Sequence, residues 1–264
     1  MARSQVKRVA LTIAGSDPGG GAGIQADLKT FAALGVYGYS AITEIIAQNS
    51  STVGKIAVVA PAMIAAQIEM VARERRPDAI KIGALGNAAA VRMVASTITN
   101  LRLPAPVLDP VIVSSAGVRL LDRAGERALV SKLLPLARIV TPNASEAEAL
   151  TGMEINNDAQ VRAAAKRIVE MGAHAAIIKG GHRGGADSVD VMFDGRRFRE
   201  FAAPRVKGNG VHGTGCAFSA AIAAYLARGA DLDAAARGAK RYVTASIRAA
   251  LSLGKGRLVP GHFA

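Results

Sequence analysis

The chain has 264 residues, half of them apolar, no tryptophan and a formal net charge of +13. That length can bury a large α/β core, and one cysteine, Cys216, excludes an internal disulfide and fits a reducing cytoplasm. The longest apolar run, 218–227, is about half of what a membrane span needs; residues 1–13 lack a secretion signal's apolar stretch and cleavage site; and the basic residues are scattered, so neither a membrane nor a nucleic acid is the expected partner.

Apolar residues 9–14 end at Gly15 and read as a buried parallel strand. Residues 24–34 read as a helix stopped by Gly35, 39–47 as a second strand, and 61–76 as a helix with proline at its start and cations at its end. Strands follow over 79–82, 107–113 (interrupted by Pro110), 138–140 and 175–179, with helices over 88–99, 122–134, 145–150 and 160–171. After Lys179 the rhythm changes. Residues 189–193 and 197–201 flank Asp194-Gly195, a hairpin signal, and two helices, 217–228 and 232–251, complete the pattern. Repeated βα units imply an α/β fold: a mostly parallel central sheet, helices on both faces and a late antiparallel hairpin, in a single domain over 1–264. Ligands of such sheets bind beyond the carboxyl ends of the strands. Segments 15–23, 48–51, 83–87, 114–117, 141–146, 180–184 and 213–216 all fall on that rim.

Segment 212–222, His-Gly-Thr-Gly-Cys-Ala-Phe-Ser-Ala-Ala-Ile, is the most informative. Gly213 and Gly215 permit a tight turn and close approach to a ligand, and the apolar run behind them starts a helix. Free N–H groups and the positive end of a helix dipole suit an anion, usually phosphate. A helix N-terminus is also expected to lower the pKa of Cys216. The plain alternative is a glycine-rich turn before a core helix, with a small buried cysteine.

Within Gly15–Gly23, residues 21–26 match a dinucleotide fingerprint, and Glu44 follows near the end of the next strand. Six residues separate Ala14 from the first fingerprint glycine, however, and Asp17 would face a pyrophosphate. The better reading is a loop around a small polar substrate, with Asp17 or Asp27 binding it or serving as turn and cap residues. Asn143-Ala-Ser-Glu146 is either a capping box or a pair holding magnesium-bound water, with Asp109 as a further carboxylate. Lys179 is a phosphate clamp or a solvated strand-edge residue. Histidines 174, 182, 212 and 262 show no ligand spacing and read as structural or surface residues. No Walker A sequence, paired-cysteine site or G-x-S-x-G elbow occurs.

Segments 10–31, 47–49, 81–83, 108–111, 141–143, 179–182 and 212–216, in that order, resemble the bacterial hydroxymethylpyrimidine/phosphomethylpyrimidine kinases of thiamine biosynthesis, within the ribokinase-like superfamily. The resemblance implies a three-layer α/β/α sandwich. It implies ATP-dependent phosphorylation of 4-amino-5-hydroxymethyl-2-methylpyrimidine and then of its monophosphate, with Mg2+, in a cytoplasmic homodimer; a pyridoxal or pyridoxine kinase of the same branch is the alternative. It assigns Gly15, Asp27 and Gln48 to the pyrimidine, with Ile46 and Ala84 walling the same pocket. Asn143, Thr214 and Lys179 fall to the nucleotide phosphates. Glu146 and Asp109 fall to magnesium, directly or through water. Gly213 and Gly215 form the anion hole, and Cys216 takes the place of the catalytic aspartate of most ribokinase relatives. The chain departs from the family pattern at Glu44, usually small or apolar; at Ala84, usually methionine; at Ser115-Ala116; and at Gly210-Val211, within Asn209-Gly-Val, where Asn-Thr is usual.

Overall fold

The structure, a computed structural model, describes residues 8–181, 185–206, 210–254 and 256–262. His182 and Asn209, both in segments used above, lie outside the described residues. One nine-stranded sheet carries the chain, in the order β3-β2-β1-β4-β5-β6-β7-β8-β9. Its members are β1 Val9–Ser16, β2 Tyr37–Gln48, β3 Val53–Val58, β4 Ala79–Ile82, β5 Val107–Leu108, β6 Ile139–Val140, β7 Ala176–Ile178, β8 Asp187–Phe193 and β9 Phe198–Pro204. From β2 through β7 neighbours run parallel; β3 at one edge and β8–β9 at the other are antiparallel.

The strand residues alternate between two cores, as the pleat requires. Leu11, Ile13, Ile80, Ile82 and Leu108 face a core built with α2 Pro61–Glu74, α3 Ala88–Asn100, α4 Arg123–Ala128, α5 Ala144–Thr151 and α6 Asp158–Glu170. Ala10, Ala79, Val107 and Ile139 face the opposite core, built with α1 Gly23–Ala33, α7 Thr214–Ala227 and α8 Leu232–Arg248. These are the three layers the resemblance implies, and the late hairpin is present. The chain leaves β1 for β2 on one side and returns as β4 on the other, so the sheet's order reverses between β1 and β4. Such a reversal opens a crevice at the strand ends.

Four differences from the sequence reading have local causes. The strand over 107–113 stops at Leu108: Asp109 N–H still bonds to Ile82 O at 2.9 Å, but Pro110 has no N–H to continue the ladder. The helix over 122–134 is α4, capped by Asp122, followed by a π-helical turn over Leu129–Leu133 and a 3₁₀ turn over Leu134–Leu136, where Pro135 denies an α-helical bond. The helix over 232–251 ends at Arg248, and Leu251 instead pairs with Val259. Strand β3 went unseen because it has no buried residue: its single partner is β2, and Gly54 and Lys55 break any apolar alternation.

Candidate active site

A cavity of about 860 Å³ lies over the C-terminal ends of β1, β4, β5, β6 and β7. Its wall includes Gly15, Ile46, Gln48, Ala84, Asp109, Asn143, Glu146, Lys179, Gly213, Thr214, Gly215 and Cys216. Chain segments more than two hundred residues apart therefore meet there, and of the expected site residues only Asp27 is left out of the wall.

Gly213 is the N-cap of α7, with φ +88 and no side-chain cap. A Cβ there would collide with the Gly21 carbonyl, so the left-handed turn and the close packing both call for glycine. Helix α7 starts at Thr214 rather than 217, which puts Cys216 in its first turn. The first-turn N–H groups have no intrahelical acceptor, and the helix dipole makes this end electropositive. Lys179 joins it: a Cβ on Gly215 would lie 3.2 Å from Lys179 Nζ.

Lys179 follows β7, and its backbone pairs with Asn143 across the sheet. Its Nζ donates to Asp109 Oδ1 at 3.0 Å and lies 3.7 Å from Glu146 Oε2. Burial opposes its charge, but Asp109 and Glu146 raise its pKa above the ordinary lysine value. It is therefore an ammonium inside the site and not a solvated edge residue. Burial likewise opposes ionisation of Asp109, yet Lys179 and Lys81 hold that carboxyl below its usual range. Asp109 Oδ2 also accepts from Ser219 of α7 at 3.2 Å.

Asn143 and Glu146 form the capping box: Glu146 N–H donates to Asn143 Oδ1 at 2.9 Å, and Asn143 N–H donates to Glu146 Oε2 at 2.7 Å. The cap does not remove Glu146 from the cavity wall. Burial pushes its carboxyl up to about 7, Lys179 pulls it down and Asp109 pushes it further up. Two carboxylates facing one ammonium are a hard oxygen donor set short of positive charge, which fits Mg2+. Asp109 and Glu146 are the residues that would hold the ion or its waters.

Two expectations need correction. Asp27 does not reach the cavity. It is fully buried under it, with Oδ2 accepting from Thr12 at 2.6 Å and from Lys81 Nζ at 2.9 Å. Cys216 does not carry a lowered pKa. Burial pushes its thiol up to about 11, and the pull of Lys81 is smaller than that effect and is opposed by Asp109 and Asp27. A helix N-terminus acidifies a thiol only when burial and neighbouring carboxylates do not outweigh it.

Asp17 takes the turn-and-cap reading, and Lys81 has a role that spacing did not reveal. Asp17 caps its own loop, accepting from Gly19, Gly21 and Ala22 N–H at 3.0, 3.1 and 2.8 Å, and it bonds to Gln48. Lys81 is wholly buried, and Asp27 and Asp109 hold it charged against the cost of burial. A lysine inside the apolar strand 79–82 was the available signal, since such a residue is almost never buried unpaired. His212, read as structural or superficial, is buried and lines the cavity.

The doubly covered sheet, the rim cavity at its switch point and an uncapped helix N-terminus facing a lysine–carboxylate cluster are those of the ribokinase-like class of small-molecule kinases. Comparison with known proteins narrows the class. Residues 17–261 match the family model for phosphomethylpyrimidine kinase, and the chain belongs to that family. The hydroxymethylpyrimidine/phosphomethylpyrimidine kinase of Haemophilus influenzae is 46% identical over 99% of this chain and 98% of its own length. A thiamine biosynthesis bifunctional protein of Geobacter sulfurreducens is 47% identical over 93% of this chain, which spans 50% of that longer relative. Among solved structures, a Bacillus subtilis pyridoxal kinase bound to ADP superposes with a TM-score of 0.89 at 36% identity, covering 97% of both chains. The phosphomethylpyrimidine kinase of Clostridium difficile superposes at 0.81 and 37%, covering 91% of this chain and 100% of its own.

Proposed function

We propose that the protein uses ATP to phosphorylate the hydroxymethyl group of 4-amino-5-hydroxymethyl-2-methylpyrimidine, and then its monophosphate, within one kinase domain in the cytoplasm. The observation that carries this reading is the convergence of Lys179, Asp109, Glu146 and the α7 N-terminus around Cys216 in one cavity. Phosphoryl transfer asks a protein mainly to position the reactants and to stabilise charge. The N–H groups of Thr214, Gly215 and Cys216 would take the transferring group's oxygens, beside Lys179. Asn143 directs its amide to the phosphates while its carbonyl oxygen caps α5. Asp109 and Glu146 would hold Mg2+, which supplies charge neutralisation at the phosphates. Gln48 presents a donor and an acceptor to a ring edge, with Gly15, Ile46 and Ala84 as the ring's walls. Cys216 receives the hydroxyl proton; because the thiol rests neutral, only its small thiolate fraction can do so.

The test is an ATP-consumption screen across hydroxymethylpyrimidine, its phosphate and the B6 vitamers, with the products identified. Turnover of the two pyrimidines supports the reading, and turnover of B6 vitamers alone refutes it. A homodimer is part of the same proposal. Tyr37, Ile45, Ile56, Val58, Met63 and Met70 are exposed on or beside the β2–β3 edge, an apolar surface suited to a second copy. Light scattering gives the mass in solution. The localisation rests on composition and on one absence: among the described residues, no helix is long and apolar enough to cross a membrane.

A further inference from the structure

We infer that His212 is a positioning residue that latches a flap over the cavity to the glycine-rich loop beside the anion hole. The flap is the stretch between β5 and α4. It folds back on itself through Ser114 N–H to Val118 O at 2.8 Å, Gly117 N–H to Ser114 O at 2.9 Å and a bridge between Val113 and Arg119. Val111, Ile112, Val113, Ser114, Ser115, Arg119 and Leu120 of this stretch all wall the cavity, and Val113 and Val118 also stay exposed to solvent. Ser115 Oγ lies 2.7 Å from His212 Nδ1. On the other side of the ring, His212 Nε2 lies 3.4 Å from Asp17 Oδ2, at ion-pair range rather than in a hydrogen bond.

The Asp17 carboxylate accepts and cannot donate, so it favours a hydrogen on Nε2, while the Ser115 hydroxyl facing Nδ1 can donate to it or accept from it. The residue is closely packed as well. Its Cδ2 lies 3.0 Å from where a Cβ on Gly21 would stand, and its backbone N–H donates to Leu258 O at 2.8 Å. His212 also precedes Gly213, the left-handed cap whose amide neighbours face the phosphates. One imidazole thus ties together the flap over the ring pocket, the loop shaped by Asp17 and the turn that starts the anion hole. Loss of the Ser115 bond frees the flap, whereas loss of the ring frees both flap and turn.

The kinetic half of the test rests on the kinase reading, so the experiment has a half that needs no substrate. Hydrogen exchange is followed at Leu120 and Leu121, whose N–H groups close the flap on Ile112 O at 2.8 and 3.2 Å. In Ser115→Ala, a surface change that leaves the core intact, exchange at these amides is expected to accelerate about tenfold, the loss of one hydrogen bond. KM for the pyrimidine should rise by a similar factor, with kcat and KM for ATP nearly unchanged. His212→Ala should add a fall in kcat. Ser115→Ala placed on His212→Ala should change nothing more, because the bond is already gone. Unchanged flap exchange in Ser115→Ala, or additive effects in the double variant, overturns the latch. Faster exchange in a protein that turns over no pyrimidine leaves the latch standing and removes the pyrimidine-kinase reading.

Discussion

Glu44 offers a sharp quantitative test of the physics. It stands in the middle of β2, completely buried, and neither carboxyl oxygen has a hydrogen-bond partner among the described residues. Its side chain fills the space that a Cβ on Gly15 would need, with Cγ 2.8 Å away, and its Oε2 lies 3.1 Å from the Cβ position of Gly86. Among the described residues no cation pairs with it, and burial lifts its pKa from 4.5 to about 7. At about 1.4 kcal/mol for each tenfold in proton affinity, that rise is worth about 3 kcal/mol. The sign follows from proton counting. Between pH 4.5 and 7 the unfolded chain releases this proton while the folded chain keeps it, so this residue's contribution to stability falls as pH rises and levels off above about 8.

The perturbation is Glu44→Gln, which keeps the shape and removes the titration. The assay is urea unfolding of both proteins from pH 5 to 8.5 at fixed ionic strength. The variant should be within about 1 kcal/mol of the parent at pH 5 and gain about 2–3 kcal/mol on it by pH 8, roughly 5–10 °C in Tm for a chain of this size. Glu146, also pushed to about 7, and His262, pulled down to about 4 by burial and then by Lys29, titrate in both proteins and cancel in the difference. A difference flat across pH would refute the claim that Glu44 is neutral and unpaired in the folded chain.

Three further outcomes are expected. Cys216→Ala should lower kcat by about 10²–10⁴-fold with little loss of stability, and wild-type kcat should climb with pH from 7 toward 9 as the thiol, pushed to about 11, yields more thiolate; a pH-flat kcat in wild type or near-normal turnover in the variant removes the proton-acceptor role. Gln48→Leu should weaken pyrimidine binding by about 1–3 kcal/mol in calorimetry with ATP binding nearly unchanged, whereas equal weakening of both ligands assigns Gln48 to holding Asp17. Ala84 packs with Ile46 and Leu120, two large apolar neighbours, yet leaves the wall shorter than a methionine would; measurable pyridoxal or pyridoxine turnover is expected, and Ala84→Met should shift kcat/KM toward the pyrimidine, while no B6 turnover and an unmoved ratio show that position 84 does not shape the pocket.

Much of the fold was legible because the βα units repeat their period faithfully. Buried parallel strands such as 9–14 and 79–82 are short apolar runs, and helices α2 and α3 carry proline or asparagine at their starts. Strand β3 was illegible for the opposite reason, since an edge strand with no buried side chain writes no hydrophobic pattern. At the site, glycine turns and strand-end polar residues marked the rim correctly. Charge state was not legible. Whether Cys216 is acidified or suppressed depends on Lys81, Asp27 and Asp109, which lie on three other elements, and no spacing along the chain encodes their sum. The buried pair Lys81–Asp27 joins residues 54 apart in sequence and was visible only as a lysine out of place in a strand.

That pair bears on why a neutral cysteine suits position 216. The charges gathered beneath α7 are two ammonium groups, Lys81 and Lys179, against three carboxyls, Asp27, Asp109 and Glu146. The set has fewer ammonium groups than carboxyls, and burial first, then Asp109, holds the Glu146 proton up to about 7. A fourth carboxylate at position 216 would press on Asp109 and Asp27 in a space where like charges repel strongly. A thiol avoids that cost at rest, because it carries no charge until its proton leaves. The same arithmetic explains Lys179. In the resting site it is shared between Asp109 and Glu146, and it becomes available to a phosphate beside Gly215 to the extent that those carboxylates find another cation. Cationic charge at Asp109 and Glu146 and anionic charge at the head of α7 therefore favour one another, so nucleotide and divalent ion should bind with positive cooperativity.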